Sequence, residues 1–438
     1  MEWHGVAWMI WFSVYKKAYW PSYTIQVHGT NIITINITTI TINTNVITSK
    51  KLSPISHLPP NMPPSSPLYP RDPFKPYAAL YAHPAGPSDA RPTAQQIIAD
   101  TTDTGSPNPW AGRVILITGG TAGIGLETVR ALHRTGADIF FTARDLNKAS
   151  TIKALLLRED DGKGPPRGKV EVIEMNLDSL ASVRAAAQEF LTRSPRLNVL
   201  INNAGVLSYP YTKTGDGFER HWGVNHLAHY LFTRLLLPVM EESSKETGGA
   251  FCSRVVNVSS AGHRQMSVRL EDYNFDGNDG GMEKRSGDDD NHVHLSPAYS
   301  TWTAYAQSKT ANIWTANYID RVYGPRGVHA MSVQPGGIVT DLPAALPAEL
   351  TSGMSEDEQL RLHSMSVEQG AATTVWAAVG DVWEGKGGKY LANCAVAEMV
   401  PWEEDKFALS ASAAAHTYDA EGEERLWELS ARLVGLEG

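Results

Sequence analysis

The chain has 438 residues, 42% of them hydrophobic and 19% charged, with a net charge of -9. That length supports one large α/β domain with extensions, or two domains. The acidic balance, with no compensating Lys/Arg cluster, argues against a nucleic-acid partner, because phosphate binding needs a basic face. Cys252 and Cys394 lie far apart, so they make neither a disulfide framework nor zinc-ligand spacing, and they point to a reducing, cytoplasmic setting.

Residues 1–52 form a low-complexity N-terminal segment. Gly5 to Val14 is apolar and is followed by Lys16 and Lys17. This run is too short to span a bilayer and has the wrong charge order for a secretory signal. Membrane association through residues 5–14 is the alternative to a cytoplasmic location. Ile32 to Ile47 is rich in Ile, Thr and Asn with almost no charge, a composition that pairs or aggregates when exposed. Met62 is an alternative start, which would put residues 1–61 outside the native protein. Residues 53–109 read as a Pro-rich, extended and largely disordered linker. Within it Thr93 to Asp100 is expected to form a short helix.

From residue 110 to 438 the pattern changes. Arg113 to Thr118 is a short apolar run, as for a strand buried on both faces. Ala137–Thr142, Lys169–Glu174, Leu197–Ile201, Arg254–Val258 and Val328–Val333 are further strand candidates. Helical patterns lie between them, at Ile124–Arg134, Leu180–Leu191 and Phe218–Met240. Strands alternating with helices predict an α/β domain with a parallel, doubly wound sheet.

Four strand ends carry chemistry. Thr118 to Gly125 reads TGGTAGIG between a buried strand and a helix. Glycines permit a tight turn and close approach of a pyrophosphate, and the helix N-terminus supplies free N–H groups. Arg144 stands at the end of the next strand, where a basic residue neutralises the 2′-phosphate of NADP and an acid would select NAD; the bland reading is a solvated strand-end arginine. Asn202-Asn203-Ala204-Gly205 and Asn257-Val258-Ser259-Ser260 each follow a strand. Tyr305 and Lys309 are four apart on one helix face, which allows an ammonium near a phenol.

In this order TGGTAGIG, NNAG, NVSS, YAQSK and PGGIVT resemble the short-chain dehydrogenase/reductase family over about Gly112 to Gly438. Segments such as GVNHLAHYLFTRLLLP, GGKYL and LWELS resemble its retinol dehydrogenase and WW-domain oxidoreductase-like branch. The resemblance implies a single Rossmann domain and hydride transfer between a carbonyl or alcohol and NADP, with NAD as the other option. It implies that Tyr305 is the general acid/base, its proton affinity lowered by Lys309. Ser260, rather than the competing Ser259, would hold the substrate oxygen, and Asn225 would complete the set through a water. Taken singly, Tyr305 reads as a half-buried helix aromatic and Asn225 as a packing residue.

The same resemblance assigns cofactor contacts to Gly119, Gly123, Ile124, Gly125, Asn176, Leu177, Asn202, Ala204, Ile338 and Thr340, besides Tyr305 and Lys309. Asn176 departs from the usual Asp and can still accept from an adenine amino group, without charge. Asp272 to Asp290 and the stretch after Thr340 are expected to line the entrance for a moderately hydrophobic substrate. No metal is expected: His292 and His294 read as solvated, and His226 and His229 as packing or subunit contacts. The resemblance also suggests a homodimer through the helices of Asn225 and Tyr305. The competing class is a catalytically silent NADP-binding regulator on the same fold, against which the intact Ser, Tyr and Lys set argues.

Overall fold

Short β-branched runs with no polar side can only be satisfied between two covering layers, and that is where they lie. The computed structural model describes residues 72–102, 108–159, 167–277, 299–338 and 357–436, plus the antiparallel strand pair Ile25–Gln26 and Ile32–Ile33. Met1–Leu68 and Tyr69–Gly438 are separate compact units. The strand pair belongs to the first, and the main sheet, its helices and the candidate site belong to the second.

The expected strands form as β1 (Val114–Ile117), β2 (Asp138–Ala143), β3 (Val170–Glu174), β4 (Val199–Asn202), β5 (Ser253–Val258) and β6 (Val328–Gln334). Four further strands come after them in the chain: β7 (Gly337–Ile338), β8 (Ser364–Met365), β9 (Lys389–Ala392) and β10 (Ala395–Val396). The main sheet runs β10-β9-β6-β5-β4-β1-β2-β3. All its pairs are parallel except β9 with β10. The chain winds outward from β1 to β3, then returns to β4 beside β1. That reversal opens a crevice at the carboxyl ends of β1 and β4.

Side chains alternate with period two. Ile115, Ile117, Ile139 and Phe141 enter one core, whereas Val114, Leu116, Phe140 and Leu200 enter the other. The helices are α1 (Ala78–Tyr81), α2 (Ala94–Thr102), α3 (Gly123–His133), α4 (Leu146–Arg158), α5 (Leu180–Arg193), α6 (Ala228–Lys245), α7 (Thr301–Tyr323), α8 (Glu358–His363), α9 (Val367–Gly370), α10 (Ala372–Val379) and α11 (Ala420–Leu433). Several start where a side chain captures a free N–H: Asp145 for α4, Ser179 for α5, Asp419 for α11, and a Ser300/Thr303 capping box for α7. Such caps stabilise a helix by about 1 kcal/mol each.

One expectation changes. Residues 72–102 are not an extended linker. Tyr77, Ala94, Ile97 and Ile98 are buried in the α2–α3–α10 layer. The Arg91 guanidinium is 3% exposed and donates to the carbonyls of Gly86, Leu362, His363 and Ser364. Proline density hid a segment whose few apolar residues find a prepared surface. Part of the α6 and α7 surface is covered by α11. Trp427 stacks on Tyr318 with centroids 4.3 Å apart, and the Tyr230 hydroxyl donates to Trp427 O at 2.9 Å. Among the described residues no helix is long and apolar enough to cross a membrane. Residues 5–14 lie outside the described part.

Candidate active site

The glycine turn joins β1 to α3 at the crevice. Gly119 and Gly123 have φ of +73° and +52°, values that L side chains rarely adopt. A Cβ at Gly125 would stand 2.2 Å from Gly119 O and 2.5 Å from Asn203 Nδ2, so no larger residue fits. Thr142 at the end of β2 steadies the turn: its hydroxyl accepts from Gly119 N at 3.3 Å. Unlike α4, α5, α7 and α11, α3 has no side-chain cap, at Ala122; it also has no acid in its first turn. Its N–H groups are therefore free for an anion, as a dinucleotide pyrophosphate requires. A tight turn, a close approach and an uncapped helix make the residues present fit such a cofactor.

Beside this turn the β4 end bends into Asn203-Ala204-Gly205. Asn203 Nδ2 donates to Thr118 O at 2.9 Å. A Cβ on Gly205 would lie 3.3 Å from both Asn225 Oδ1 and Lys309 Nζ, so those side chains meet across the glycine. Asn225 sits in a π-helical turn, Trp222–Leu227, that leads into α6. It is fully buried. Its Oδ1 accepts from Val206 N at 2.8 Å, and its Nδ2 donates to Val206 O at 3.1 Å and Ser308 Oγ at 3.0 Å.

Ser260 follows β5 and caps the short turn Ala261–Gln265, accepting from Gly262 N. Gly262 keeps the space open: a Cβ there would be 3.3 Å from Tyr305 Cε1 and 3.4 Å from Ser260 Oγ. Tyr305 projects from α7 between Leu207 and Trp302. Burial pushes its phenol up from the ordinary value, and a hydrogen bond with Ser260 pulls the other way. Lys309, one turn further along α7, has its Nζ 5.5 Å from the Tyr305 ring centroid and donates to Val258 O at 3.2 Å. Burial pushes this ammonium down to about 8. The phenol therefore stands above its usual value here, because desolvation outweighs the Ser260 hydrogen bond. Ser259 is committed elsewhere: its hydroxyl donates to Lys309 O at 2.8 Å.

The remaining expected residues separate by position. Arg144 is exposed at the end of β2, and among the described residues no ion pair or hydrogen bond claims it. Asn176 is exposed beyond β3, with its Oδ1 accepting from Asp178 N at 3.1 Å. Leu177 is buried. Ala204 is within reach of Gly119. Asn202, expected beside an adenosine, turns its side chain into the protein, donating to Thr233 Oγ1 and Asn257 Oδ1; it is buried because β4 lies at the centre of the sheet. Ile338 and Ile124 both pack on Gly370, where a Cβ would be 2.5 Å and 3.6 Å from their Cγ1 atoms, which brings the two ends of the crevice together. Thr340, His292 and His294 lie outside the described residues. Among the described residues no cluster of His, Cys, Asp or Glu is arranged to hold a metal ion.

The sequence reading missed Asn203 as the clamp on the glycine turn. It also missed a buried dyad, in which Glu219 accepts from His221 Nδ1 at 2.7 Å and His221 Nε2 accepts from Ser208 N at 2.9 Å. The His221 ring meets Tyr305 edge-on, with centroids 6.0 Å apart. Neither residue belongs to a recognisable local pattern, so only the tertiary fold reveals them. His226 is a packing residue, bonded to Ser430 Oγ at 2.8 Å.

Comparison with known proteins agrees with this arrangement. Residues 113–274 match the short chain dehydrogenase family model. The chain is 39% identical over 360 residues to the short-chain dehydrogenase/reductase prx1 of Penicillium roqueforti, covering 82% of this chain and 95% of that one. It is 34% identical over 335 residues to retinol dehydrogenase 12 of Mus musculus, covering 74% and 87%. The crystal structure of an uncharacterized protein from Mycobacterium paratuberculosis superposes with a TM-score of 0.53 at 28% identity, covering 79% and 98%. Fold and relatives together define an oxidoreductase of the dinucleotide-binding class. The chain belongs to the short-chain dehydrogenase/reductase family and resembles its retinol dehydrogenase branch.

Proposed function

We propose that this protein is an NADP-dependent oxidoreductase that reduces the carbonyl of a moderately hydrophobic small molecule, or oxidises the matching alcohol. The observation that carries this is the meeting of Ser260, Tyr305, Lys309 and Asn225 around Gly205 and Gly262, at the carboxyl edge of the sheet and beside the glycine turn. The nicotinamide ring, when bound, supplies or takes the hydride. Ser260 holds the substrate oxygen, and Tyr305 exchanges a proton with it. Lys309 and Ile338 orient the nicotinamide end. The free N–H groups of Gly123, Ile124 and Gly125 hold the pyrophosphate, and Gly119 lets it approach. Asn176 and Leu177 would flank the adenine, and Ala204 would border the adenosine. The unclaimed guanidinium of Arg144 supports a 2′-phosphate partner.

Leu207 and Trp302 beside Tyr305 give the reacting centre an apolar wall. The relative named for retinol is consistent with a hydrophobic alcohol or aldehyde. The test is oxidation of NADPH and NADH with a panel of aldehydes and ketones. Tyr305→Phe should lose on the order of 10²–10⁴ in kcat. Arg144→Glu should lower kcat/KM for NADPH about tenfold or more and spare NADH. Equal activity of Tyr305→Phe would overturn the catalytic assignment; a wild-type NADH preference would overturn only the role of Arg144.

A further inference from the structure

His229 is wholly buried in the first turn of α6, four residues after Asn225, and the proposed reaction does not use it. Its two ring nitrogens touch two different parts of the site. Nδ1 lies 3.0 Å from Asn225 O. Nε2 lies 2.9 Å from Thr118 Oγ1. The same Thr118 oxygen accepts from Asn203 N and Ala204 N, each at 3.0 Å.

Two independent arguments fix the protons. A carbonyl only accepts, so Nδ1 carries the hydrogen. A hydroxyl has one proton and two lone pairs; both pairs of Thr118 are taken by backbone N–H groups, so its proton goes to Nε2, which must be bare. Together they give the neutral Nδ1–H tautomer. Burial agrees, pushing this imidazole down to about 4, with the nearby Lys309 charge acting in the same direction. The imidazole therefore joins the π-turn of Asn225 to the Asn203–Ala204 bend and, through Thr118, to the first residue of the glycine turn.

We propose that His229 is a positioning residue that locks the dinucleotide-binding turn to the π-turn carrying Asn225, and thereby sets affinity for the dinucleotide. The affinity part rests on the proposed NADP-dependent activity; the coupling of the two turns does not. Two substitutions divide the two bonds. His229→Asn places an amide donor where Nδ1 was and gives Thr118 no acceptor. His229→Gln reaches Thr118 with Oε1 and drops the bond to Asn225 O.

The experiment measures NADPH binding by fluorescence titration, and amide hydrogen exchange of Asn203 and Ala204 in the ligand-free protein. His229→Asn should weaken binding about five- to tenfold, the worth of one buried hydrogen bond, and speed exchange at both amides. His229→Gln should restore both towards wild type. In a Thr118→Val background His229→Asn should have no further effect on either readout. Equal binding by all variants, or equal weakening by Asn and Gln in step with their melting temperatures, would overturn the proposal. Wild-type protein that binds neither NADPH nor NADH would remove the proposed activity instead. The exchange arm would then still decide the coupling, supported by faster exchange in Asn than in Gln and overturned by equal rates.

Discussion

Replacing Lys309 by Met should make the ligand-free protein more stable at neutral pH while abolishing its activity. The ammonium is 4% exposed and has one hydrogen bond, to Val258 O at 3.2 Å. Its fall from the usual 10.5 to about 8, at about 1.36 kcal/mol per pH unit, is a cost of roughly 3 kcal/mol at pH 7. Met keeps the stem and removes the charge. The lost hydrogen bond offsets about 1.5 kcal/mol of the gain. Val258 O is not left bare, because Asn312 Nδ2 also donates to it at 3.1 Å. The net expectation is a stabilisation of about 1–2 kcal/mol at pH 7. The sign with pH comes from linkage. Below pH 8 the lysine is charged in both states and the native state bears the full cost. Between 8 and 10.5 the native lysine loses its proton first, the unfolded chain binds more protons, and wild-type stability rises towards the variant. Urea unfolding followed by tryptophan fluorescence at pH 7 and pH 9.5 measures this. The gap should shrink by roughly 2 kcal/mol between the two pH values. A variant less stable than wild type at pH 7, or a gap that does not change with pH, would refute a buried, costly ammonium.

Gly125→Ala forces a Cβ to within 2.2 Å of Gly119 O, which only a backbone shift relieves; it should cost about 1–3 kcal/mol of stability and abolish dinucleotide binding in calorimetric titration, and tight binding would refute the turn assignment. Trp427→Ala removes the ring that α11 stacks on Tyr318; it should cost about 3–5 kcal/mol and expose the α6–α7 surface, giving concentration-dependent self-association in light scattering where the parent shows none through that face. Unchanged stability and mass would show that α11 does not hold that surface.

The parts of this protein that could be read from sequence are those whose physics is local. β1 announces itself because a strand covered on both faces is largely apolar, and VILI has no polar side chain. The TGGTAGIG turn is legible because only glycine tolerates the φ of Gly119 and Gly123 and the contacts of Gly125. Ser260 over Ser259, and Tyr305 with Lys309, emerged from spacing once the family resemblance was in hand. What escaped depends on contacts between residues far apart in the chain. Arg91 meets carbonyls at residues 362–364, some 270 positions away, so residues 72–102 looked like linker. Asn202 turns its side chain into the centre of the sheet, and it is the side chain of Asn203 that clamps the turn. Spacing gives the proximity of Tyr305 and Lys309, whereas only the tertiary fold gives the burial that raises the phenol and lowers the ammonium.

That burial accounts for the character of the site. A lysine, a tyrosine, two asparagines and two histidines lie in or beside the carboxyl edge of a sheet whose two faces are otherwise apolar. Each polar group there is costly unless it is bonded. The observed solution spends the backbone: Asn225 closes on both polar groups of Val206, His229 on Asn225 O, His221 on Ser208 N, and Lys309 on Val258 O. The bends after β4 and β5 are thus held by side chains rather than by ladder bonds. The π-turn at Trp222–Leu227 belongs to the same solution, since widened turns of this kind occur mainly where a side chain must be re-aimed. The stability lost by burying Lys309 is offset by the two apolar layers. What it provides is a cation and a phenol held close together with little water between them, where a small change in charge on the substrate oxygen is strongly felt.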